Sequence, residues 1–220
     1  MHEHAKTASC VILKSEAPGM FCAGADLKER KTMTAEESKT FVRRLRETMT
    51  LLEEFECPTI SVMDGPALGG GLELALCTDM RVATEQAIFG LPETGLAIIP
   101  GAGGTQRLSR LIGVSKAKEM IFTGDRLDAG QALQAGLINH VCADFDAANA
   151  KALEIAAKIG GKGPIAIRAA KRAVHFGIDR DLKSGLALED ECYKMVLHTE
   201  DRLEGLAAFA EKRKPVYQGK

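Results

Sequence analysis

The sequence predicts an α/β fold in which a front part mixes strands with helices and a helical region follows. Short runs that are apolar or β-branched, such as 9–14 and 59–63, indicate buried strands. Between these runs and towards the end of the chain, apolar residues recur at the three- and four-residue spacing of helices. We therefore expect an α/β core over residues 1–142 and a helical region over 143–220, which packs on this core or on a neighbouring chain.

The first elements follow one another with clear boundaries. A strand at 9–14 is followed by a turn at 16–19, and Thr34 with Glu37 forms a capping box that begins a helix. One face of this helix is expected in the core and carries Phe41, Leu45, Met49, Leu52 and Phe55. The next expected elements are a strand at 59–63, a short helix at 72–77, and strands at 80–83 and 87–91.

The back part of the chain is expected to be mostly helical from Thr105 onward. The run 137–141 is the exception, because its apolar and β-branched residues are typical of a strand. Glycine and proline breakers then separate three helix candidates, which are 165–176, 181–197 and 199–214. Thr199 is a plausible N-cap for the last of these helices.

The composition is that of a globular protein. Hydrophobic residues make up 45% of the 220 residues and charged residues 27%, a balance that excludes general disorder. The 29 basic side chains are offset by 30 acidic ones, so the totals show no basic excess of the kind that nucleic-acid binding favours. No apolar run approaches the roughly 20 residues that a membrane-spanning helix needs, and we expect no membrane association.

The cysteine and histidine pattern predicts no metal site. None of the six cysteines forms a Cys-x-x-Cys pair, so neither a zinc site nor a thioredoxin-like site has support. Several cysteines stand beside apolar residues, which favours buried free thiols in a reducing compartment. His2 and His4 could chelate a stray metal ion, although a frayed polar terminus is the favoured interpretation.

A first glycine-rich turn carries the strongest local signal of a site. Gly69, Gly70 and Gly71 follow a strand and precede a helix, so backbone N–H groups there can approach a ligand closely. Such donors can stabilise an oxygen that gains negative charge. Glu73 lies in the first turn of the helix. The alternative is a flexible loop in which Glu73 only complements the helix dipole.

A second turn delivers another carboxylate. A strand ends near Pro92 and is followed at once by Glu93, which could also be an ordinary solvated loop residue. The glycines lack the Lys-Ser/Thr that completes a P-loop, and Gly101 to Gly104 lacks the spacing of a dinucleotide-binding turn. A Gly-x-Ser-x-Gly elbow is absent too. The remaining interpretation is a site with two carboxylates beside backbone donors.

Five longer strings in the chain resemble the enoyl-CoA hydratase/isomerase family. They are FCAGADLKE (21–29), DGPALGGGLELA (64–75), FGLPETGLAIIPGAGGTQRL (89–108), TGDRLDAGQALQAGLINHV (123–141) and DRLEGLAAFAEKRKP (201–215). The resemblance implies the crotonase fold, a ClpP-like ββα superhelix with a helical C-terminal trimerisation region. Within the family, DLKER and LELAL are most similar to the methylglutaconyl-CoA hydratase branch, whose members are also described as AU-rich RNA-binding homologues.

The resemblance also assigns roles to residues of this sequence. Glu73 and Glu93 match the family's two catalytic glutamates, and the N–H groups of Ala25 and Gly70 match its oxyanion hole. Isomerases of the family generally keep only the carboxylate that matches Glu93, so the presence of both favours hydration. The positions that match substrate-binding residues are Ala23, Asp26, Leu27, Lys28, Gly101, Phe209 and Lys212.

The family pattern further implies the reaction partners and the assembly. The CoA thioester is the substrate and no metal or redox cofactor is needed. The expected assembly is a homotrimer or a dimer of trimers, in which Phe209 and Lys212 meet CoA, often from a neighbouring subunit. A mitochondrial location is implied as well, with any transit peptide upstream of Met1. For a carboxylated acyl group such as methylglutaconyl, Arg30 is a candidate cation at its distal end.

Two alternative functions stay open on the sequence. The family normally begins with a strand, a turn and a helix that this chain lacks, so that 1–6 would match the end of that helix. The chain could therefore be a catalytically impaired scaffold that joins family oligomers. RNA binding is the other alternative, carried by a basic stretch of Lys28, Arg30, Lys31, Lys39, Arg43, Arg44 and Arg46. Because acidic residues interleave this stretch, a solvated helix face is favoured over RNA contact.

Overall fold

The structure is a computed structural model that describes residues 8–220 as a mixed α/β protein. The strands are β1 Val11–Lys14, β2 Thr59–Met63, β3 Ala67–Leu68, β4 Met80–Thr84, β5 Ile88–Gly90, β6 Leu127–Asp128 and β7 His140–Cys142. The helices are α1 Leu27–Thr32, α2 Ala35–Glu53, α3 Gly70–Ala75, α4 Gly104–Ile112, α5 Val114–Thr123, α6 Ala129–Gln134, α7 Phe145–Gly160, α8 Pro164–Gly177, α9 Leu182–Lys194 and α10 Glu200–Ala210. A 3₁₀ helix covers Pro92–Leu96. The suggestions made for His2, His4 and 1–6 lie outside the described residues.

Two small sheets organise the front part. The first has the order β1-β2-β4-β7, and within it β4 runs parallel to both β2 and β7. The second has the order β3-β5-β6, with β3 parallel and β6 antiparallel to β5. The mixed α/β architecture that the sequence predicted is confirmed. Strands β3 and β6 were not predicted, because two residues are too few to form a recognisable alternation.

Several boundaries follow the signals in the sequence. Thr34 accepts a hydrogen bond from the Glu37 N–H at 3.3 Å, and the Glu37 carboxylate accepts one from the Thr34 N–H at 2.8 Å, so the predicted capping box is present. Every residue of β2 is buried, as its β-branched pattern predicted. Thr199 caps α10 by accepting a hydrogen bond from the Arg202 N–H at 3.2 Å.

One strand and one helix differ from the prediction. The run 137–141 was expected to be one strand, but β7 begins only at His140. Leu137 instead donates its N–H to the Ala132 carbonyl at 2.9 Å and so closes the end of α6. Helix α1 was not predicted, since six residues give no clear periodicity. Its N-cap is Asp26, whose side chain accepts from the Lys28 N–H at 2.8 Å.

The chain forms two compact units. One consists of 12–54 with 59–152, and its apolar core contains Met63, Leu72, Phe89, Leu91 and Leu108, all fully buried. The other consists, among the described residues, of 8–11, 55–58 and 153–220, and in it Ala169 of α8 packs against Leu188 and Cys192 of α9. The division falls inside α7. The predicted boundary after residue 142 lies just before that helix and stays a prediction. Among the described residues, no helix is both long and apolar enough to cross a membrane.

Candidate active site

A cavity of about 170 Å³ in the first compact unit contains the two predicted carboxylates. Its walls include Glu73, Glu93 and the two glycine-rich turns that surround them. The lining residues are Ala23, Gly24, Ala25, Leu27, Arg30, Phe41, Val42, Leu45, Gly69, Gly70, Glu73, Pro92, Glu93, Leu96, Ile98, Ile99, Gly101 and Ala102. Apart from Arg30 and the two glutamates, this lining consists of apolar side chains and glycines. The cavity therefore offers two carboxyl groups in a largely apolar setting.

The first glycine-rich turn owes its shape to close backbone contacts. Gly69 has a φ of 54° and a ψ of −127°, a conformation that side chains rarely allow. A Cβ on Gly71 would lie 2.0 Å from the Cys22 carbonyl oxygen, so only glycine fits there. Leu68 donates its N–H to that same oxygen at 3.0 Å. These contacts hold the segment around Cys22 directly against the start of α3.

The same contacts bring two backbone N–H groups to one wall of the cavity. A Cβ built on Gly70 would lie 3.8 Å from the Ala25 nitrogen, which shows how near the two residues are. Gly70 is the first residue of α3, so its N–H has no acceptor within the helix. Over residues 8–220, neither the Ala25 nor the Gly70 N–H donates to a protein acceptor. Both donors are thus available for an oxygen of a bound molecule.

Glu73 is buried and held by the second glycine-rich turn. Its Oε1 accepts hydrogen bonds from the N–H groups of Ala102 at 2.8 Å and Gly104 at 2.7 Å. Burial raises the pKa of Glu73 above its ordinary value, while these two bonds and the charges of Arg107 and Arg46 oppose that rise. The two backbone donors thus stabilise the carboxylate form against the effect of burial and fix its orientation.

Glu93 stands in a contrasting environment on the 3₁₀ helix. Its Oε2 is buried and has no hydrogen-bond partner among the described residues. Burial raises the pKa of Glu93 to about 7, and the neighbouring charge of Glu73 adds to the effect. Glu93 is thus partly protonated near neutral pH. Two carboxyls whose surroundings separate their protonation in this way can serve as acid and base.

Most of the predicted site residues meet in this cavity. Ala23, Ala25, Leu27, Gly70, Glu73, Glu93 and Gly101 all line it. Asp26 and Lys28 do not line the cavity. The Asp26 side chain instead caps α1 by accepting a hydrogen bond from the Lys28 N–H. Phe209 and Lys212 belong to the other compact unit, where Phe209 is 87% exposed. The substrate-binding roles of these four residues stay predictions.

Gly101 lines the cavity but does not itself donate to Glu73. Helix α4 begins at Gly104, and the N–H groups of the turn that reach Glu73 belong to Ala102 and Gly104. The carbonyl of Gly101 accepts two hydrogen bonds from Arg46, at 3.1 Å from Nε and 2.8 Å from Nη2.

Two arginines near the site were not predicted for it. In the sequence analysis, Arg46 was named only as part of a basic stretch, and Arg107 was only included in the string 89–108. In the structure, Arg107 donates to the Ala102 carbonyl at 2.9 Å and, through Nε, to Glu53 at 2.9 Å. The contacts of Arg46 with Gly101 and of Arg107 with Glu53 join residues more than fifty positions apart, so no local pattern could have indicated them.

The basic stretch behaves as a solvated helix face in the structure. Lys39 pairs with Glu36 at 3.8 Å, and Arg43 pairs with Glu47 at 3.9 Å, with all four side chains largely exposed. Arg30 lies over the Phe41 ring at 5.0 Å. Two basic side chains of α2 are therefore paired with acids of the same helix.

Comparisons with known proteins agree with this geometry. The sequence model of the enoyl-CoA hydratase/isomerase family matches residues 2–220. The chain is 56% identical to the probable enoyl-CoA hydratase 2, mitochondrial, of Arabidopsis thaliana, over 97% of this chain and 70% of that protein. It is 52% identical to the methylglutaconyl-CoA hydratase, mitochondrial, of Mus musculus, over 97% of this chain and 69% of that protein.

A solved structure shows the same fold. The crystal structure of an enoyl-CoA hydratase from Bacillus anthracis superposes with a TM-score of 0.94 at 49% sequence identity. The match covers 99% of this chain and 86% of that one. The crotonase fold that the resemblance implied is thus confirmed.

Proposed function

Because the chain belongs to the enoyl-CoA hydratase/isomerase family, we propose that it is a lyase that adds water across the double bond of a 2-enoyl-CoA thioester. One observation carries the proposal. Glu73 and Glu93, in contrasting environments, share one cavity with the free N–H groups of Ala25 and Gly70. Double-bond migration needs a single carboxyl to move a proton, whereas hydration needs an acid and a base at once.

In the proposed reaction the thioester carbonyl oxygen accepts hydrogen bonds from Ala25 and Gly70. Attack of water on the β-carbon moves electron density onto this oxygen, which then has enolate character. Backbone donors aimed at such an oxygen are worth about 10²–10³ in rate each. Because they belong to the rigid start of α3 and the segment bonded to it, they need no rearrangement during the reaction.

The two carboxyls complete the proton balance. Glu73, as carboxylate, takes a proton from water while the water oxygen bonds to the β-carbon. Glu93, as carboxylic acid, donates its proton to the α-carbon and becomes ionised. General acid–base steps of this kind contribute about 10²–10⁴ in rate. The residues present supply acid, base and charge stabilisation, so the proposed reaction needs no metal or redox cofactor.

The test is steady-state hydration of crotonyl-CoA by the chain and by Glu73→Gln and Glu93→Gln variants. We expect each variant to lose at least about a hundredfold in kcat, with CoA-thioester binding by calorimetry preserved. Glu85→Gln is the matched control, since Glu85 is exposed and does not line the cavity. Near-normal turnover in either site variant would refute the mechanism. An inactive wild-type chain that still binds thioester would favour the impaired scaffold instead.

For the acyl group, we propose a short enoyl chain, either that of β-oxidation or the carboxylated methylglutaconyl group of leucine degradation. Identities of 56% to a relative named for enoyl-CoA and 52% to one named for methylglutaconyl-CoA do not separate these choices. Arg30 supports the carboxylated substrate, because this cation lines an otherwise apolar part of the cavity wall. A carboxylate at the distal end of the acyl group would be its natural partner.

We also propose a homotrimer or a dimer of trimers. The support is a set of exposed apolar side chains in the second compact unit, among them Ile178, Leu182 and Phe209, each at least 77% exposed. A sizing measurement with light scattering tests this, and a monomer at micromolar concentration would refute it. A mitochondrial location is proposed as well, since the plant and mouse relatives are both named mitochondrial.

A further inference from the structure

One side chain of α2 contacts the turn that holds Glu73. The Arg46 guanidinium donates two hydrogen bonds to the Gly101 carbonyl oxygen, at 3.1 and 2.8 Å. That oxygen belongs to the peptide group whose N–H is the Ala102 N–H. The same N–H donates to Glu73 Oε1 at 2.8 Å. Arg46 and Glu73 are therefore joined through the two ends of a single peptide group.

This connection has an electrostatic consequence. A cation at the carbonyl end of a peptide draws electron density toward that oxygen, and the N–H at the other end becomes a stronger donor. Hydrogen bonds arranged in such a chain strengthen one another. The bond between Ala102 and Glu73 benefits more when Glu73 is ionised, since a carboxylate is the better acceptor. The effect therefore stabilises the charged form of Glu73 relative to the neutral form.

The geometry points to Arg46 as a positioning residue that acts through the Gly101–Ala102 peptide to keep Glu73 ionised and oriented for its role as base. The inference rests on the proposed hydratase function. Arg46 does not touch the cavity. Its influence on the reaction is indirect, through the shape and polarity of the turn.

The other charged groups around Glu73 show why Arg46 matters. Arg107 is nearby, but its guanidinium is paired with Glu53. Glu93 is the other titratable group in the cavity, and the Cys77 thiol donates to the Glu73 carbonyl. Over residues 8–220, Arg46 forms no ion pair, so its charge is not offset by a carboxylate. Arg46 and Arg107 are the cations that oppose the rise in the pKa of Glu73.

The exposure of Arg46 makes the inference testable. Its side chain lies on the solvent side of α2, so its removal leaves the core intact. Arg44 is the matched control, since it is an exposed arginine of the same helix and forms no side-chain hydrogen bond or ion pair among the described residues. Two variants are informative. Arg46→Ala removes both the charge and the guanidinium group, whereas Arg46→Lys keeps the charge but cannot donate the same pair of hydrogen bonds.

The experiment measures kcat/KM for crotonyl-CoA from pH 5 to 10, together with the thermal midpoint of unfolding. We expect the pKa of the acidic limb to rise by about 0.5 in Arg46→Ala, because an exposed cation acts through partial screening. Below that limb, kcat/KM then falls about threefold. Arg46→Lys should lie between this variant and the wild type, and Arg44→Ala should match the wild type.

Two outcomes would overturn the inference while leaving the hydratase function standing. One is an active Arg46→Ala variant with an unmoved acidic limb. The other is a uniform loss of kcat/KM at all pH values together with a lower midpoint, which indicates a purely structural role. If the wild type has no hydratase activity, the pKa of Glu73 is measured by ¹³C carboxyl NMR in the wild type and in Arg46→Ala. An unchanged value refutes the inference independently of the proposed function.

Discussion

Glu73 and Glu93 line the same cavity, and Glu73 Oε1 accepts hydrogen bonds from the N–H groups of Ala102 and Gly104. The Oε2 of Glu93 is buried without a partner over residues 8–220. A carboxyl that lacks donors and sits near a second carboxylate holds its proton more firmly. The same pair of environments that suits catalysis therefore makes the stability of the protein depend on pH.

The first prediction concerns Glu93→Gln and stability. The pKa of Glu93 is about 7 in the folded protein and about 4.5 when unfolded, so the folded state favours the protonated form. Its contribution is complete below pH 4.5 and is lost as the pH rises through 7. We expect Glu93→Gln to unfold about 2–4 °C above the wild type at pH 8.5, after allowance for partial solvent screening.

Calorimetry at pH 5 and pH 8.5 checks this prediction. The difference between the variant and the wild type should nearly vanish at pH 5, where Glu93 is protonated in the folded state. Equal midpoints at both pH values would contradict the assigned environment of Glu93. Glu85→Gln serves again as the exposed control.

A second prediction concerns Gly71→Ala. The new Cβ would lie 2.0 Å from the Cys22 carbonyl oxygen, and both atoms belong to backbone that cannot yield easily. We expect the free energy of unfolding to fall by about 1–3 kcal/mol, with loss of hydration as the turn shifts. Gly160→Ala is the control, because its Cβ meets only ordinary contacts at 3.8 Å and beyond. Denaturant titration that finds both variants equally stable would refute the close approach.

A third prediction concerns Arg30 and the acyl group. If the substrate carries a distal carboxylate, Arg30→Met should lower kcat/KM for 3-methylglutaconyl-CoA by about ten- to a hundredfold. Crotonyl-CoA lacks this group and should be hydrated at an unchanged rate. Lys31→Met is the control, since Lys31 is exposed and does not line the cavity. A parallel loss on both substrates would assign Arg30 a structural role.

A fourth prediction concerns the cysteines. Cys57, Cys77 and Cys192 are buried, and burial raises the pKa of Cys77 to about 12. Thiolates are the reactive form, so these three should resist N-ethylmaleimide at pH 7.5 in the native protein. Half-buried Cys22 and Cys142 should react faster. Peptide mass spectrometry assigns the modified positions, and labelling in denaturant provides the fully reactive reference.

A fifth prediction concerns RNA. Because Lys39 and Arg43 pair with Glu36 and Glu47, and acidic residues interleave the rest of the basic stretch, filter binding of RNA should show only weak retention. A steep loss of binding between 50 and 200 mM salt at low micromolar protein would instead indicate several phosphate contacts and revive the RNA alternative.

The sequence was sufficient to predict the features that depend on residues close to one another in the chain. The capping box at Thr34, the fully buried β2 and the glycine turn before Glu73 each depend on residues within a few positions of one another. For Glu93, the spacing alone left open whether it is a catalytic residue or a solvated loop residue. The family resemblance assigned it to the same site as Glu73. In the structure, Glu93 lines the cavity with one carboxyl oxygen buried.

What could not be read from the sequence depends on contacts across the fold. Arg46 meets Gly101 from a helix more than fifty positions earlier, and Arg107 meets Glu53 across a similar distance. The hydrogen bonds that hold Glu73 are a further example, because they join its carboxylate to the N–H groups of Ala102 and Gly104, about thirty positions later in the chain.

The contacts at Ala25 and Gly70 bear on how this protein can vary. Both residues contribute only an N–H group, which every amino acid except proline possesses. A substitution at position 25 therefore keeps the donor as long as the backbone conformation is unchanged. Proline is the exception, because it has no N–H group. On such a frame, a change of reaction would come from the two glutamates and the cavity wall, because the side chains at positions 25 and 70 supply none of the donors.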